Sequence, residues 1–368
     1  MIPLAHAIAP VRVLRGEGAW AQALELIPAL SRRPLVLGRS QATSALRQEL
    51  AAQLQSAGLQ VEPALLRRDC CEEDLIPLAE QAAAAAVDAV IAVGGGKVLD
   101  GGKLLADRLQ LPCVTVPTSA ATCAGWTALA NVYAPEGAFR YDVALSRCPE
   151  LLVFDHALVR QAPPRTLASG IADAVAKWYE SSVSSAGSGD GLIQQAVQMA
   201  RILRDQLLLD AEAAMADPFA EAWGRVAEAC GLSAGLIGGI GGARCRTVAA
   251  HAVHNGLTQL SACHHQLHGE KVGFGILVQL RLEEVLGGSQ LAAQARRQLL
   301  PFFSALGLPL TLADLGLAQA SLADLQQVCE FACRPGSDLH HLPFAVSPAD
   351  LLAALVSTTA GQLSEATL

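Results

Sequence analysis

Five of the nine histidines fall between positions 251 and 268: His251, His254, His264, His265 and His268. The segment reads His251-Ala-Val-His254-Asn255-Gly256, then His264-His265-Gln-Leu-His268-Gly269-Glu270-Lys271. Imidazoles three residues apart share one face of a helix, so His251 and His254 can point together. The spacing is not that of a zinc finger, and a chance cluster of surface histidines is the bland alternative. Read as ligands, two imidazoles need a carboxylate to complete a mixed nitrogen–oxygen site. Asp173 is the best candidate, in Gly170-Ile-Ala-Asp173-Ala-Val-Ala-Lys177-Trp178, at the start of an expected helix among small neighbours that permit close approach. Two neutral imidazoles and one carboxylate leave a position open, which makes a Lewis-acid site for zinc or iron(II) rather than a structural one.

A second chemical element is the run Gly94-Gly95-Gly96, between an apolar strand and a helix. Without Cβ atoms, the backbone N–H groups at such a helix start are open to a phosphate, and the helix dipole favours the anion. The run is neither GxGxxG nor a Walker loop, and a plain tight turn is the competing reading. Lys97, Asp100 and Lys103 follow at helical spacing and read either as ligand contacts or as a solvated face. Thr118 and Thr122 come after the next strand, where ligands bind in open α/β sheets; their hydroxyls reach a phosphate or ribose, or cap a turn. The first apolar strand ends Gly38-Arg39-Ser40, with a base where NAD enzymes carry an acid for the ribose hydroxyls. That tilts the expectation from NAD toward NADP.

These residues need elements to carry them. Pro34–Gly38, Leu59–Leu66, Asp88–Val93, Cys113–Val116 and Leu151–Phe154 read as buried strands, separated by helices over Ala42–Ala57, Glu72–Ala86 and Lys97–Arg108. Apolar strands alternating with helices imply a doubly wound parallel α/β sheet. From about Pro164 the segments are long and helix-like, and Pro163-Pro164 marks the boundary. The expected domains are 1–162, α/β and dinucleotide-binding, and 163–368, all-α and catalytic, with a cleft between them.

The chain has 368 residues, 52% hydrophobic and 16% charged, which suits two packed domains and excludes disorder. A net charge of −8 with no basic run argues against nucleic acid as a partner. Mean hydropathy is +0.35. The uncharged stretches are nevertheless broken by Pro112, Pro117 and Pro135 or are short and glycine-rich, so no membrane span is expected. With no secretory signal in Met1–Trp20, a cytoplasmic protein is expected. Ten scattered cysteines without a CxxC pair are expected to be buried or free thiols.

On Gly94-Gly-Gly-Lys-Val-Leu-Asp100, Val116-Pro-Thr118, Ser169–Asp173 with Trp178, His251-Ala-Val-His-Asn-Gly256 and His268-Gly-Glu-Lys-Val272, the sequence resembles the iron-containing (group III) alcohol dehydrogenases, in their glycerol-dehydrogenase-like branch. The resemblance runs from about Pro10 to Leu355. It implies a dehydroquinate-synthase-like architecture, a nicotinamide cofactor (NADP or NAD), one divalent metal (zinc or iron) and a homo-oligomer. Carried over by residue, the metal ligands are Asp173, His251 and His268. His254 lies close by, and His340 falls in a matching segment.

The departures bear on substrate. Where glycerol dehydrogenases carry an aspartate facing the polyol hydroxyls, this chain has Cys123. Arg246 stands where those enzymes have small residues, and Lys177 where some relatives place a further histidine ligand. An acid lost and bases gained suit an anionic substrate, and the patterns Ala121-Thr-Cys-Ala-Gly-Trp-Thr127 and Ala176-Lys-Trp-Tyr-Glu180 look like the NADP-dependent 2-hydroxycarboxylate dehydrogenase branch. The expected reaction is hydride transfer between NADP(H) and a small 2-oxo or 2-hydroxy acid. The metal polarises the carbonyl, His254 or a water returns the proton, and Arg246 or Lys177 holds the substrate carboxylate. An ion pair in which Lys177 merely neutralises Asp173 is the alternative for those bases. The rival readings are an NAD-dependent glycerol or polyol dehydrogenase, a lyase of the dehydroquinate-synthase type and a non-catalytic sensor.

Overall fold

The structure is a computed structural model, and it describes residues 6–185 and 187–365. The chain forms two compact units. One runs to Pro163 and includes Cys230–Gly239; the other comprises Pro164–Ala229 and the chain from Ile240 onward.

The first unit opens with β1 (Arg12–Gly16) and α1 (Ala19–Leu30). It continues through β2 (Pro34–Gly38), α2 (Ser44–Ser56), β3 (Glu62–Leu65), α3 (Glu72–Ala84), β4 (Ala89–Gly94), α4 (Gly96–Leu109) and β5 (Cys113–Pro117). The hairpin β6 (Leu129–Tyr133) and β7 (Phe139–Ala144) follows, then β8 (Leu151–Asp155) and the short α5 (His156–Val159). Six strands form one sheet in the order β1-β8-β5-β4-β2-β3, with every neighbouring pair parallel. This is the doubly wound α/β sheet expected of apolar strands alternating with helices. β2, β4, β5 and β8 are buried along their whole length, as a sheet covered on both faces requires. One side of the core stacks Val36, Ile91, Val93, Val114, Val116 and Val153 against Trp20, Ala23, Ile27, Leu50 and Leu54 of α1 and α2.

Several elements lie outside the expected series. β1 is an edge strand with exposed Arg12 and Arg15, so it lacks the apolar run of a buried strand. α1 contains Pro28, which reads as a break. β6 and β7 pair as a separate antiparallel hairpin within a stretch that carries no turn dipeptide of the Asn-Gly kind.

The second unit opens with α6 (Pro164–Ser185), α7 (Gly191–Ala216) and α8 (Glu221–Glu228); the chain then passes through a π-turn and α9 (Ala234–Gly241), most of which belongs to the first unit. It continues with α10 (Ala249–Leu257), α11 (His268–Val285), α12 (Gln290–Ala305), α13 (Leu322–Ala332) and α14 (Pro348–Glu365). Its main core joins Val253 and Leu257 to Phe274, Val278, Leu282, Val328 and Leu351. The π-turn and most of α9 fall inside the expected 163–368 domain but pack with the first unit. Glycine allows it: a Cβ on Gly231 would stand 2.3 Å from the Phe154 ring, and one on Gly235 2.5 Å from Trp126. All ten cysteines are free, and eight of them are buried. Among the described residues, no helix is long and apolar enough to cross a membrane.

Candidate metal centre and glycine turn

α6 brings Asp173, Lys177 and Glu180 to one face, because spacings of four and seven residues return to the same side of a helix. Asp173 lies in the middle of α6 rather than at the start of a helix, among buried alanines that let α10 and α11 approach. α10 supplies His251, and α11 begins at His268. The ligand atoms of Asp173, His251 and His268 all lie within 4.8 Å of one another. Nε2 of His251 is 3.3 Å from Asp173 Oδ1, and Nε2 of His268 is 3.5 Å from the same oxygen.

Each imidazole has its other nitrogen engaged. His251 Nδ1 meets Glu180 Oε2 at 2.6 Å, and a carboxylate there requires the hydrogen on Nδ1. His268 Nδ1 meets His254 Nε2 at 3.0 Å, while His254 Nδ1 meets Asn255 Oδ1 at 2.9 Å. The amide oxygen accepts, so His254 Nδ1 carries a hydrogen, His254 Nε2 accepts, and His268 Nδ1 donates. With both rings neutral, the two metal-facing Nε2 atoms present lone pairs. Asp173 Oδ1 is buried and, among the described residues, has no hydrogen-bond partner.

Three acceptor atoms converging without a hydrogen between them repel one another unless a cation joins them. Ligands about 2.0–2.2 Å from a tetrahedral zinc stand about 3.3–3.6 Å apart, which matches the 3.3 and 3.5 Å separations of the two imidazoles from Asp173 Oδ1. The donor set thus fits zinc or iron(II), with room for a fourth ligand.

The charges agree. Burial by itself raises the Asp173 carboxyl, but Lys177 and the imidazoles of His251 and His268 hold it well below the usual carboxylate range. Burial disfavours the His251 cation, yet Glu180 and Asp173 push this imidazole up to about 9, so a proton and a divalent cation compete for the corner. Burial lowers His268.

Several expected residues take other places. Burial, and then the charges of His268, Lys271 and His251, keep His254 well below its usual pKa. With both nitrogens bonded and the ring neutral, His254 orients His268 and is not placed to deliver a proton. Lys177 is 4% exposed, stands 3.9 Å from Asp173 Oδ1 and donates to the Arg246 carbonyl oxygen at 3.1 Å. It is a buried counter-charge. Arg246 is half-buried, and among the described residues no carboxylate pairs with its guanidinium. His340 is exposed, its Nε2 on the Arg334 carbonyl, and His264 and His265 are exposed as well. Glu180 and Asn255 went unread as site residues; the seven-residue spacing of Glu180 from Asp173 was the available signal.

In the first unit, Gly94 pairs with Pro117 at the ends of β4 and β5, and Thr118 N–H donates to the Gly94 carbonyl at 3.0 Å. This gathers Gly94–Gly96 and Thr118 at the carboxyl ends of β4 and β5, with Thr122 against Gly96. Gly95 caps α4 with no side-chain hydrogen bond. A Cβ on Gly95 would meet only Ser119 Oγ, at 3.9 Å, whereas one on Gly96 would meet the Thr122 methyl at 3.1 Å. Thr122 Oγ1 accepts from Ala124 N–H at 2.8 Å, the capping alternative. Gly38 lies against the Arg47 side chain.

The α4 face is not solvated: Lys103 is 2% and Asp100 7% exposed, and they pair at 3.1 Å. Asp100 also accepts from Asn131 N–H, and Lys103 donates to the Thr127 and Leu129 carbonyls. Asp100 thus holds the hairpin. Arg39 pairs with buried Asp69 at 2.8 Å, and Lys97 pairs with the same carboxylate.

The doubly wound sheet and the metal corner suit a metal-dependent oxidoreductase that uses a nicotinamide cofactor. The model of the family "Iron-containing alcohol dehydrogenase" matches residues 10–156. An uncharacterized oxidoreductase of Synechocystis is 55% identical over 96% of this chain and 91% of its own length. Hydroxycarboxylate dehydrogenase A of Escherichia coli is 38% identical, over 79% of this chain and 80% of its own. The crystal structure of a probable glycerol dehydrogenase from Sinorhizobium meliloti superposes with a TM-score of 0.86 at 30% identity, covering 98% of this chain and all of that one. The chain belongs to the iron-containing alcohol dehydrogenase family, in its glycerol-dehydrogenase-like part, and is a dehydrogenase of alcohol groups.

Proposed function

We propose that the chain interconverts a small 2-oxo acid and the matching 2-hydroxy acid with NADP(H). The observation that carries this reading is Arg246: a half-buried guanidinium without an acid partner among the described residues, whose own carbonyl is held by the lysine next to Asp173. A guanidinium without an acid partner suits a carboxylate, which it binds through two parallel hydrogen bonds. The likeness to hydroxycarboxylate dehydrogenase A supports the same class of substrate, while the likeness to glycerol dehydrogenases keeps a polyol as the competitor.

Bound in their places, a divalent zinc or iron supplies Lewis-acid polarisation of the substrate carbonyl and the nicotinamide supplies the hydride. Asp173, His251 and His268 would hold the metal. Lys177 keeps Asp173 ionised. Glu180 and His254 hold hydrogens on the far nitrogens of the two ligand imidazoles, and with His254 committed, solvent supplies the product proton. The N–H groups at the start of α4 receive the cofactor phosphates, with Gly94, Gly95, Gly96, Thr118 and Thr122 around them. Arg39 and Lys97, tied to Asp69, offer the positive charge for a 2′-phosphate.

The test is a paired assay of purified, metal-loaded protein: 2-oxoglutarate or 2-oxobutyrate with NADPH against glycerol with NAD. The reading requires the 2-oxo acids to be turned over more efficiently. It fails if glycerol with NAD is preferred.

A further inference from the structure

Glu180 is fully buried, and three hydrogen-bond donors meet its two oxygens. Oε1 accepts from the backbone N–H groups of Val248, at 2.7 Å, and His251, at 3.0 Å. Oε2 accepts from His251 Nδ1 at 2.6 Å. Val248 is the N-cap of α10, so the carboxylate closes the positive end of the helix that carries His251 and holds that imidazole at the same time. The second ligand histidine is held differently, its Nδ1 3.0 Å from Nε2 of the His254 imidazole.

From this asymmetry we infer that Glu180 is a positioning residue that selects the metal-binding tautomer of His251, and that its charge cannot be replaced by the isosteric amide. The inference rests on the metal reading of Asp173, His251 and His268. A glutamine at 180 has one oxygen for three donors. If that oxygen stays on the two backbone N–H groups, the NH₂ faces Nδ1, which must then carry a lone pair. The ring hydrogen moves to Nε2 and points at Asp173 Oδ1, into the space the metal would take. If the amide turns over, its NH₂ faces two buried N–H groups and the start of α10 loses its acceptor. Glu180→Asp keeps two oxygens and the charge, one methylene shorter. Gln279 secures the same junction, accepting from Ala250 N–H at 3.1 Å and donating to the Tyr179 carbonyl at 2.9 Å, so the frame around Glu180 does not depend on the substituted side chain alone.

The experiment compares wild type, E180Q and E180D after chelator treatment, by zinc titration against a competing chelator and by ¹⁵N NMR of histidine-labelled, zinc-loaded protein. The expected result is zinc affinity roughly ten- to hundredfold weaker in E180Q, with partial recovery in E180D. In zinc-loaded wild type His251 carries its hydrogen on Nδ1. Zinc affinity in folded E180Q within about threefold of wild type overturns the inference while leaving the metal site standing. Should E180Q not fold, the wild-type spectrum decides: His251 bound through Nδ1, with its hydrogen on Nε2, overturns it. Wild type that takes up neither zinc nor iron overturns the metal reading and this inference together.

Discussion

The helical corner and the glycine turn solve opposite problems. Around Asp173, His251 and His268 the working atoms belong to side chains, and nearly every one is aimed by a dedicated neighbour: Glu180 for His251, His254 and Asn255 for His268, Lys177 for Asp173. At Gly94–Gly96 the open groups belong to the backbone, and the nearby side chains serve the frame. Asp100 and Lys103 pin the hairpin, and Asp69 gathers Arg39 and Lys97. The corner is therefore vulnerable to replacing atoms, even isosterically. The turn is vulnerable to adding them.

The largest effect expected is at the corner. Asp173→Asn keeps the shape and removes the charge, so bound metal should be lost. Several kcal/mol of transition-state stabilisation at about 1.4 kcal/mol per decade correspond to a fall in kcat/KM of at least about a thousandfold. Stripping the wild type with a chelator should reproduce that loss, and zinc or iron should reverse it. Elemental analysis alongside steady-state kinetics is the check. A variant that keeps both metal and turnover breaks the comparison at its first term.

At the turn, the contrast lies between neighbouring glycines. A methyl at Gly94 would stand 2.8 Å from Val98 Cβ, whereas one at Gly95 meets nothing nearer than 3.9 Å. Gly94→Ala should cost about 1–3 kcal/mol of stability. Gly95→Ala should leave Tm unchanged yet weaken dinucleotide binding about tenfold or more, since a methyl would hold a phosphate off the N–H groups. Thermal unfolding and cofactor titration of both variants separate the two. Equal cofactor affinity in Gly95→Ala and wild type would remove the turn from the binding site.

How far these two regions could be read in advance follows from the same contrast. Asp173, His251 and His268 were legible because ligand types announce themselves and the flanking motifs repeat a family pattern. The buried strands β2, β4 and β5 were legible as apolar runs closed by glycine or proline. Glu180 was not, because one glutamate in a helix reads as surface until α10 is seen to start against it. His254 was read as an acid because its partner His268 lies fourteen residues on, and only the packing of α10 against α11 brings the rings together. Lys103 and Asp100 read either as ligand contacts or as a solvated face, because charge outweighs position in a one-dimensional pattern and only the hairpin, paired elsewhere in the chain, buries them.

Arg39 sharpens the comparison from the cofactor side. It is exposed, with Asp69 as its ion-pair partner, so its removal should disturb folding little. Arg39→Ala is expected to lower the preference for NADP over NAD about tenfold, the scale of one charge-assisted hydrogen bond, with little change in NAD binding. Asp69→Asn, which releases both cations, should not lower that preference. Binding of 2′-phosphorylated and plain adenosine nucleotides measures this without turnover, and an unchanged ratio in Arg39→Ala removes Arg39 from cofactor selection.

The smallest effect concerns what positioning costs. Gln279, which ties α10 to α6, also donates to Glu283 Oε1 at 3.0 Å. Burial raises the Glu283 carboxyl from 4.5 to about 7, outweighing that hydrogen bond. A carboxyl raised in the folded state favours folding most where it is protonated in both states, below about 4.5, and that contribution is lost as pH rises through about 7. Wild type should therefore lose on the order of 2 kcal/mol from this group between about pH 5 and 8, at about 1.4 kcal/mol per unit. Glu283→Gln keeps the acceptor and has no charge to bury. Its Tm should match wild type near pH 5 and exceed it by a few degrees near pH 8. A gain of the same size at both pH values would mean that packing, not ionisation, sets the cost of holding the helices around the metal ligands.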